Sequence, residues 1–205
     1  MSTLFESASA GLIRGGFEVV EVETGEEAKE YLLAHIGADK SVGAGGSMTV
    51  KQTGALLALK EKGCTVHTHW DAVTPEEAVQ IRRRARDADV YLSSANAVSK
   101  TGQLVLVDGM GNRVGAICDG PYDVYVIISE DKIVDGGQMA AIARVKRDAA
   151  PPNCKRLGLD TPCATTGVCG GDTCTDSSCR ITLTVDFVPR GRKMTVIFVK
   201  EKLGF

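Results

Sequence analysis

Two stretches of this sequence combine residue types and spacings that can do chemistry. The first is Gly43-Ala44-Gly45-Gly46-Ser47-Met48-Thr49, between a strand and the start of a helix. Small residues let successive backbone N–H groups converge there, and a helix N-terminus adds partial positive charge. Such a loop suits phosphate or carboxylate. Gly43, Gly45, Gly46, Ser47 and Thr49 are therefore candidate ligand-binding residues, the hydroxyls of the last two serving as extra donors. The Gly and Lys spacing fits neither a P-loop nor GxGxxG, and a plain tight turn is the alternative. The second stretch holds Cys154, Cys163, Cys169, Cys174 and Cys179 in a segment rich in Gly, Thr and Pro. Four thiolates can hold a tetrahedral zinc or an iron–sulfur cluster. Cys154, Cys163, Cys169 and Cys179 are the leading metal ligands, with Cys174 in reserve. No CxxC pair exists, so buried inert thiols or a disulfide are the competing readings.

A third group lies in the middle of the chain. Asn96 and Asn112 offer amide groups, and Lys100 and Arg113 can pair with an anion. Asp108 can act as a general base if its pKa is suited. Asp108 and Asn112 are also ordinary turn residues. His67 and His69 stand two apart on an expected strand, so they share one face. A polar strand face is favoured there over half a metal site. Arg82, Arg83, Arg84 and Arg86 read as a solvated helix face, and Trp70 as a packing residue.

The elements that must position these groups alternate between strand and helix. Strands are expected at Phe17 to Val22, Cys64 to Trp70, Asp89 to Ser94 and Asp123 to Ser129, and one ends at Ser41 to Gly43. Helices are expected at Glu26 to Ile36, about Thr49 to Lys62, Pro75 to about Asp87, and Gly137 to Arg147. Thr74 caps the third of these, with Pro75 at its first position and Glu77 closing a capping box. Gln103 to Val107 and Arg113 to Ile117 read as a hairpin turning at Asp108 to Asn112. Ile181 to Val188 and Met194 to Val199 close the chain as strands. The alternation predicts one layered α/β domain over residues 1–205 with a largely parallel sheet. Residues 151–180 read as a Cys-rich loop insertion that needs something to tie it down.

Composition narrows the function classes. The 205 residues carry 24 Lys+Arg against 26 Asp+Glu, a net charge of -2, so no basic surplus points to nucleic acid. The chain contains no unbroken apolar run of membrane-spanning length. The first sixteen residues lack a secretory pattern. Seven cysteines, an odd number, fit a reducing cytoplasm better than a disulfide framework. The oligomeric state is left open, a homo-oligomer included.

The motifs GAGGSMT, SANAVSKTGQLVLVDGMGNRVGA, PCATTGVC and MTVIFVKEKLGF together resemble the LUD-domain proteins, relatives of the lactate-utilisation protein C family. The resemblance covers roughly residues 4–205 and is nearest a compact, cysteine-bearing branch. It implies a fold like the sugar-phosphate isomerase and CoA-transferase superfamily, in which the glycine loop commonly receives an anion. It also implies an accessory role in lactate or organic-acid oxidation beside iron–sulfur partner proteins. Many LUD proteins carry an acidic residue just before the Thr-Gly pair of the middle motif. Lys100 stands there, so no carboxylate is available at that position. An enzyme acting on a sugar phosphate or acyl-CoA is the second reading, and a redox module built on the cysteines the third.

Overall fold

A computed structural model describes residues 3–205. The expected domain is thus seen from Thr3 onward, and Met1 and Ser2 lie outside the described residues. Ten strands run in chain order: β1 (Glu18–Val22), β2 (Ser41–Ala44), β3 (Thr65–Thr68), β4 (Val90–Ser93), β5 (Ala97–Ser99), β6 (Leu104–Asp108), β7 (Asp123–Ser129), β8 (Ile133–Val134), β9 (Ile181–Val185) and β10 (Lys193–Val199). The α-helices are α1 (Leu4–Arg14), α2 (Gly25–His35), α3 (Met48–Gln52), α4 (Ala55–Lys62), α5 (Pro75–Arg86), α6 (Asn112–Asp119), α7 (Gln138–Arg144), α8 (Ala150–Arg156) and α9 (Pro162–Thr166). Among the described residues no helix is long and apolar enough to cross a membrane.

Six strands make one parallel sheet in the order β1-β10-β7-β4-β2-β3. Its centre reads as a continuous apolar run because both faces are covered. Along β7, Val124, Val126 and Ile128 join Leu12, Ile117 and Phe198 in one cluster. Tyr125 and Ile127 point the other way and join Leu32, Leu59 and Val42. The two-residue period of a strand thus divides one sequence between two helical layers. A second, four-stranded sheet, β8-β5-β6-β9, stands beside the first. Its outer residues Ala97, Val105 and Val107 pack on Ala141, Val145 and Ala149.

Several local expectations are corrected. The helix expected from Thr49 to Lys62 breaks at Thr53, whose hydroxyl donates to the carbonyl of Val50 and accepts from the N–H of Ala55. That side chain competes with the helical ladder and ends α3. The strand expected to reach Trp70 stops at Thr68, and His69–Asp71 form a 3₁₀ turn. His67 and His69 therefore do not share a strand face. The hairpin at Asp108 to Asn112 does not form. Gly111 sits at φ 83°, and a helix, α6, replaces the expected second strand. The last antiparallel run, β9, ends at Val185 and joins β6 in the second sheet. Leu4–Arg14, outside every expected element, form α1, on which Thr3 and Glu6 close a capping box.

The Cys-rich segment is more ordered than a loop insertion. Gln138–Arg144 continues through a π-helical turn at Val145–Ala149 into Ala150–Arg156. Pro151 and Pro152 offer no N–H to the α ladder, and both fall in the first turn of α8, where prolines are tolerated. The widened turn immediately before them lets the chain change register without ending the helical rod. Cys154 rides on α8, fully buried, and Cys163 on α9.

Candidate functional site

The carboxyl ends of β2, β4 and β7 open onto a cavity of about 630 Å3. From β2 the chain moves outward to β3, then returns to place β4 on the other side of β2. Loops diverge at such a switch point and leave a crevice between them. One wall is Gly46, Ser47 and Thr49, and a second is Ser94 and Asn96. Asp108, Asn112 and Arg113 close a third side, and Arg156 and Arg180 stand at another.

Of the loop residues expected to bind a ligand, Gly46, Ser47 and Thr49 line the cavity, whereas Gly43 and Gly45 do other work. A Cβ on Gly43 would stand 1.9 Å from the carbonyl oxygen of Ala85, so this position lets α5 lie directly on β2. One on Gly45 would meet the Arg113 side chain at 2.4 Å. The Ser47 hydroxyl already accepts from the N–H of Val50 at 3.2 Å. The helix it caps has five residues, so its dipole is short. Positive charge in this crevice comes mainly from side chains.

In the middle motif, Asn96, Asp108, Asn112 and Arg113 meet at the crevice and Lys100 does not. Lys100 is exposed and pairs with Asp135 at 2.6 Å. Asp108 is buried, and its Oδ2 accepts from the backbone N–H groups of Arg113 at 2.9 Å and Val114 at 3.3 Å. Its Oδ1 accepts from Met110 N–H at 3.3 Å. The carboxylate is thus the cap of α6 rather than a free base. Asp108→Asn keeps one acceptor and should lower the melting temperature by several degrees, about 1–2 kcal/mol for a lost cap. A thermal melt checks this. Asn96 is similarly committed, its Oδ1 accepting from Val107 N–H at 2.9 Å. The Arg113 guanidinium donates to the Val107 carbonyl at 2.5 Å and lies 4.0 Å from Asp108.

The residue that sequence reasoning missed is Lys132. It follows β7 in the short turn Glu130–Lys132 and is 2% exposed. Its Nζ donates to Thr49 Oγ1 at 2.7 Å. That hydroxyl also accepts from Ser94 Oγ and donates to the carbonyl of Leu203, each at 3.3 Å. Thr49 is therefore fully used. An ammonium has three donors, so two remain for whatever enters the crevice. Among the described residues no carboxylate lies within ion-pair distance of Lys132. Burial, then the positive charge of Arg144, pushes its pKa down to about 7, against an opposing pull from Asp131. The available signal was positional: residues just past the carboxyl end of a fully buried parallel strand face the crevice.

Trp70 lines the same cavity, with Lys51 Nζ 4.5 Å and Arg156 5.7 Å from its ring centroid. The indole N–H of Trp70 and Nδ1 of the adjacent His69 are buried without hydrogen-bond partners. Burial, then Arg82 and Arg156, holds the His69 imidazole below its ordinary pKa, so it is neutral at pH 7. All seven cysteines are free thiols, and five of them line a smaller cavity that shares a wall with this one.

Comparison with known proteins agrees with this architecture. A crystal structure of a DUF162 family protein from Deinococcus radiodurans is similar in fold, with a TM-score of 0.56. The two chains are 13% identical, and 96% of each is covered. No curated protein matches the chain. The family model for the LUD domain matches residues 6–199, nearly the whole length, and the chain therefore belongs to the LUD domain family.

Proposed function

We propose that the crevice binds a small organic anion, a carboxylate or phosphate ester, and that the protein serves lactate or related organic-acid oxidation beside iron–sulfur partner proteins. The observation that carries this reading is Lys132: a buried amine, unpaired with any carboxylate, holding two unused donors toward a cavity also lined by Arg113 and Arg156. A buried cation is costly unless paired, and an anionic ligand is the missing partner. The cavity falls in the usual range for small-molecule sites and offers more room than a three-carbon acid needs.

The experiment is a melting series with phosphate, lactate, pyruvate, longer hydroxy acids, sugar phosphates and coenzyme A. A ligand at a hundred times its Kd stabilises by about 2.7 kcal/mol, a rise of roughly 5–10 °C for a chain of this size. A flat series across all these anions overturns the proposal. A second reading, turnover of a sugar phosphate or acyl-CoA, is favoured by one observation: an amine with a pKa of about 7 can both take and return a proton at neutral pH. Turnover assays on the compounds that raise the melting temperature separate an enzyme from a binding module.

A further inference from the structure

A second cavity, of about 350 Å3, adjoins the crevice, and Cys154, Cys163, Cys169, Cys174 and Cys179 all line it. They arrive from separate pieces of chain. Cys154 comes from α8, Cys163 from α9, and Cys169 and Cys174 from either side of the turn Gly171–Thr173. Cys179 enters just before β9. No disulfide joins any of them. Around the cavity the chain buries little apolar surface, and Val168 is 69% exposed. A thiol-walled void gives up packing contacts that a guest would restore.

The space between the thiols bears on which guest fits. Zinc held by four thiolates at about 2.3 Å draws their sulfurs to within about 3.8 Å of each other, leaving no cavity between them. Five thiols arranged around a larger space fit a guest of several atoms. We infer that this cavity seats an iron–sulfur cluster, with Cys154, Cys163 and Cys179 as ligands and the fourth thiolate drawn from Cys169 or Cys174.

Cys154 and Cys163 adjoin, and Cys179 lines the same cavity. Each ligating thiol gives up its proton as its bond to iron forms. Cysteine thiolates are the ordinary ligands of such clusters. Ser178 Oγ stands 3.1 Å from Cys154 Sγ, a hydrogen-bonding group beside a ligating sulfur that can tune its potential. Ala150, Ser177, Ser178 and Cys179 belong to both cavities, so the cluster sits behind one wall of the ligand crevice. Cys64, whose thiol meets the Gly37 carbonyl in the core, and exposed Cys118 take no part.

The test is anaerobic reconstitution of the full chain with equal ferrous and ferric iron, sulfide and a thiol reductant, followed by desalting. Iron and sulfide are then assayed, and visible and electron paramagnetic resonance spectra recorded. The expected result is stoichiometric iron and sulfide, broad visible absorption, and a signal on reduction. Cys163→Ser and Cys179→Ser should each lose at least nine-tenths of the iron, while Cys118→Ser retains all of it. Cys169→Ser and Cys174→Ser, both away from the core, should divide, one losing the cluster and one keeping it. Circular dichroism of each apo variant separates loss of ligand from loss of fold. Stoichiometric zinc without visible absorption, no retained iron, or full iron in Cys163→Ser overturns the inference. These readouts are independent of which anion the crevice accepts, so failure here leaves the anion reading standing, and the converse.

Discussion

Lys132→Met should weaken anion binding by about 10- to 100-fold at pH 6.5 and flatten its pH dependence, while raising the melting temperature of the free protein. The affinity loss is that of a hydrogen bond to a charged group, about 1.5–3 kcal/mol. The pH profile follows from the pKa of about 7. Below pH 7 the amine is already protonated and meets an anion at no further proton cost. As pH rises above 7, binding must take up a proton, because a bound anion restores the amine's basicity. Affinity then falls by up to about tenfold per pH unit until the pKa of the complex is reached. Methionine has no proton to bind, so the variant's affinity stays level. Titration calorimetry at pH 6.5, 7.5 and 8.5 reads both effects.

The stability change runs the opposite way. In the unfolded chain the amine keeps its proton to about pH 10.5, while in the folded protein it gives it up near 7. The unfolded state therefore binds more protons across that window. Stability is fully present above the unfolded pKa and falls as pH drops from about 10.5 to 7, by about 1.4 kcal/mol per unit. The variant removes this slope and buries an apolar side chain of similar length. It should melt several degrees higher than the natural protein at pH 7. A variant that melts lower and binds as well as the natural chain would make Lys132 structural and sink the crevice reading.

Gly43→Ala has the second largest expected effect. The added methyl would lie 1.9 Å from the Ala85 carbonyl oxygen and 2.6 Å from its carbon, both backbone atoms of α5. No rotamer relieves a backbone clash, so α5 must lift off β2. A cost of at least about 3 kcal/mol follows, the upper end for overpacking, with a fall of roughly 6–12 °C in melting temperature. The matched control is Gly115→Ala. Position 115 lies inside α6 with nothing within 4 Å of the added methyl. There the same substitution should stabilise by about 0.5–1 kcal/mol, because alanine loses less backbone freedom on folding. Equal melting temperatures for the two variants would show that α5 does not rest on β2 as described.

Much of the fold was legible because its signals are local. β7 is named by its run of apolar residues, and α5 by Thr74, Pro75 and Glu77 within four positions. The turn after β2 is legible in its small residues. The stretch from Asp108 to Arg113 misled because its residues suit a hairpin and a helix entry equally well. The choice depended on where the Asp108 carboxylate found donors, which are the amides of α6 itself. In the same way Thr53 ends α3 by a side-chain bond that no periodicity reveals.

The sequence by itself determined the alternation that makes a parallel sheet, the family motifs and the five thiols available near the C-terminus. It could not distinguish Lys132 from the chain's other lysines, because its burial and the fully used Thr49 hydroxyl depend on segments far apart in the chain. Nor could it show that Lys100, inside the most specific motif, turns to solvent and Asp135. The same is true of the cysteines: their spacing offered zinc and a cluster alike, and only the fold shows that all five line one cavity. Chemistry at a site depends on distance, desolvation and unpaired charge. Those are properties of converging chains, and only the tertiary structure brings the chains together.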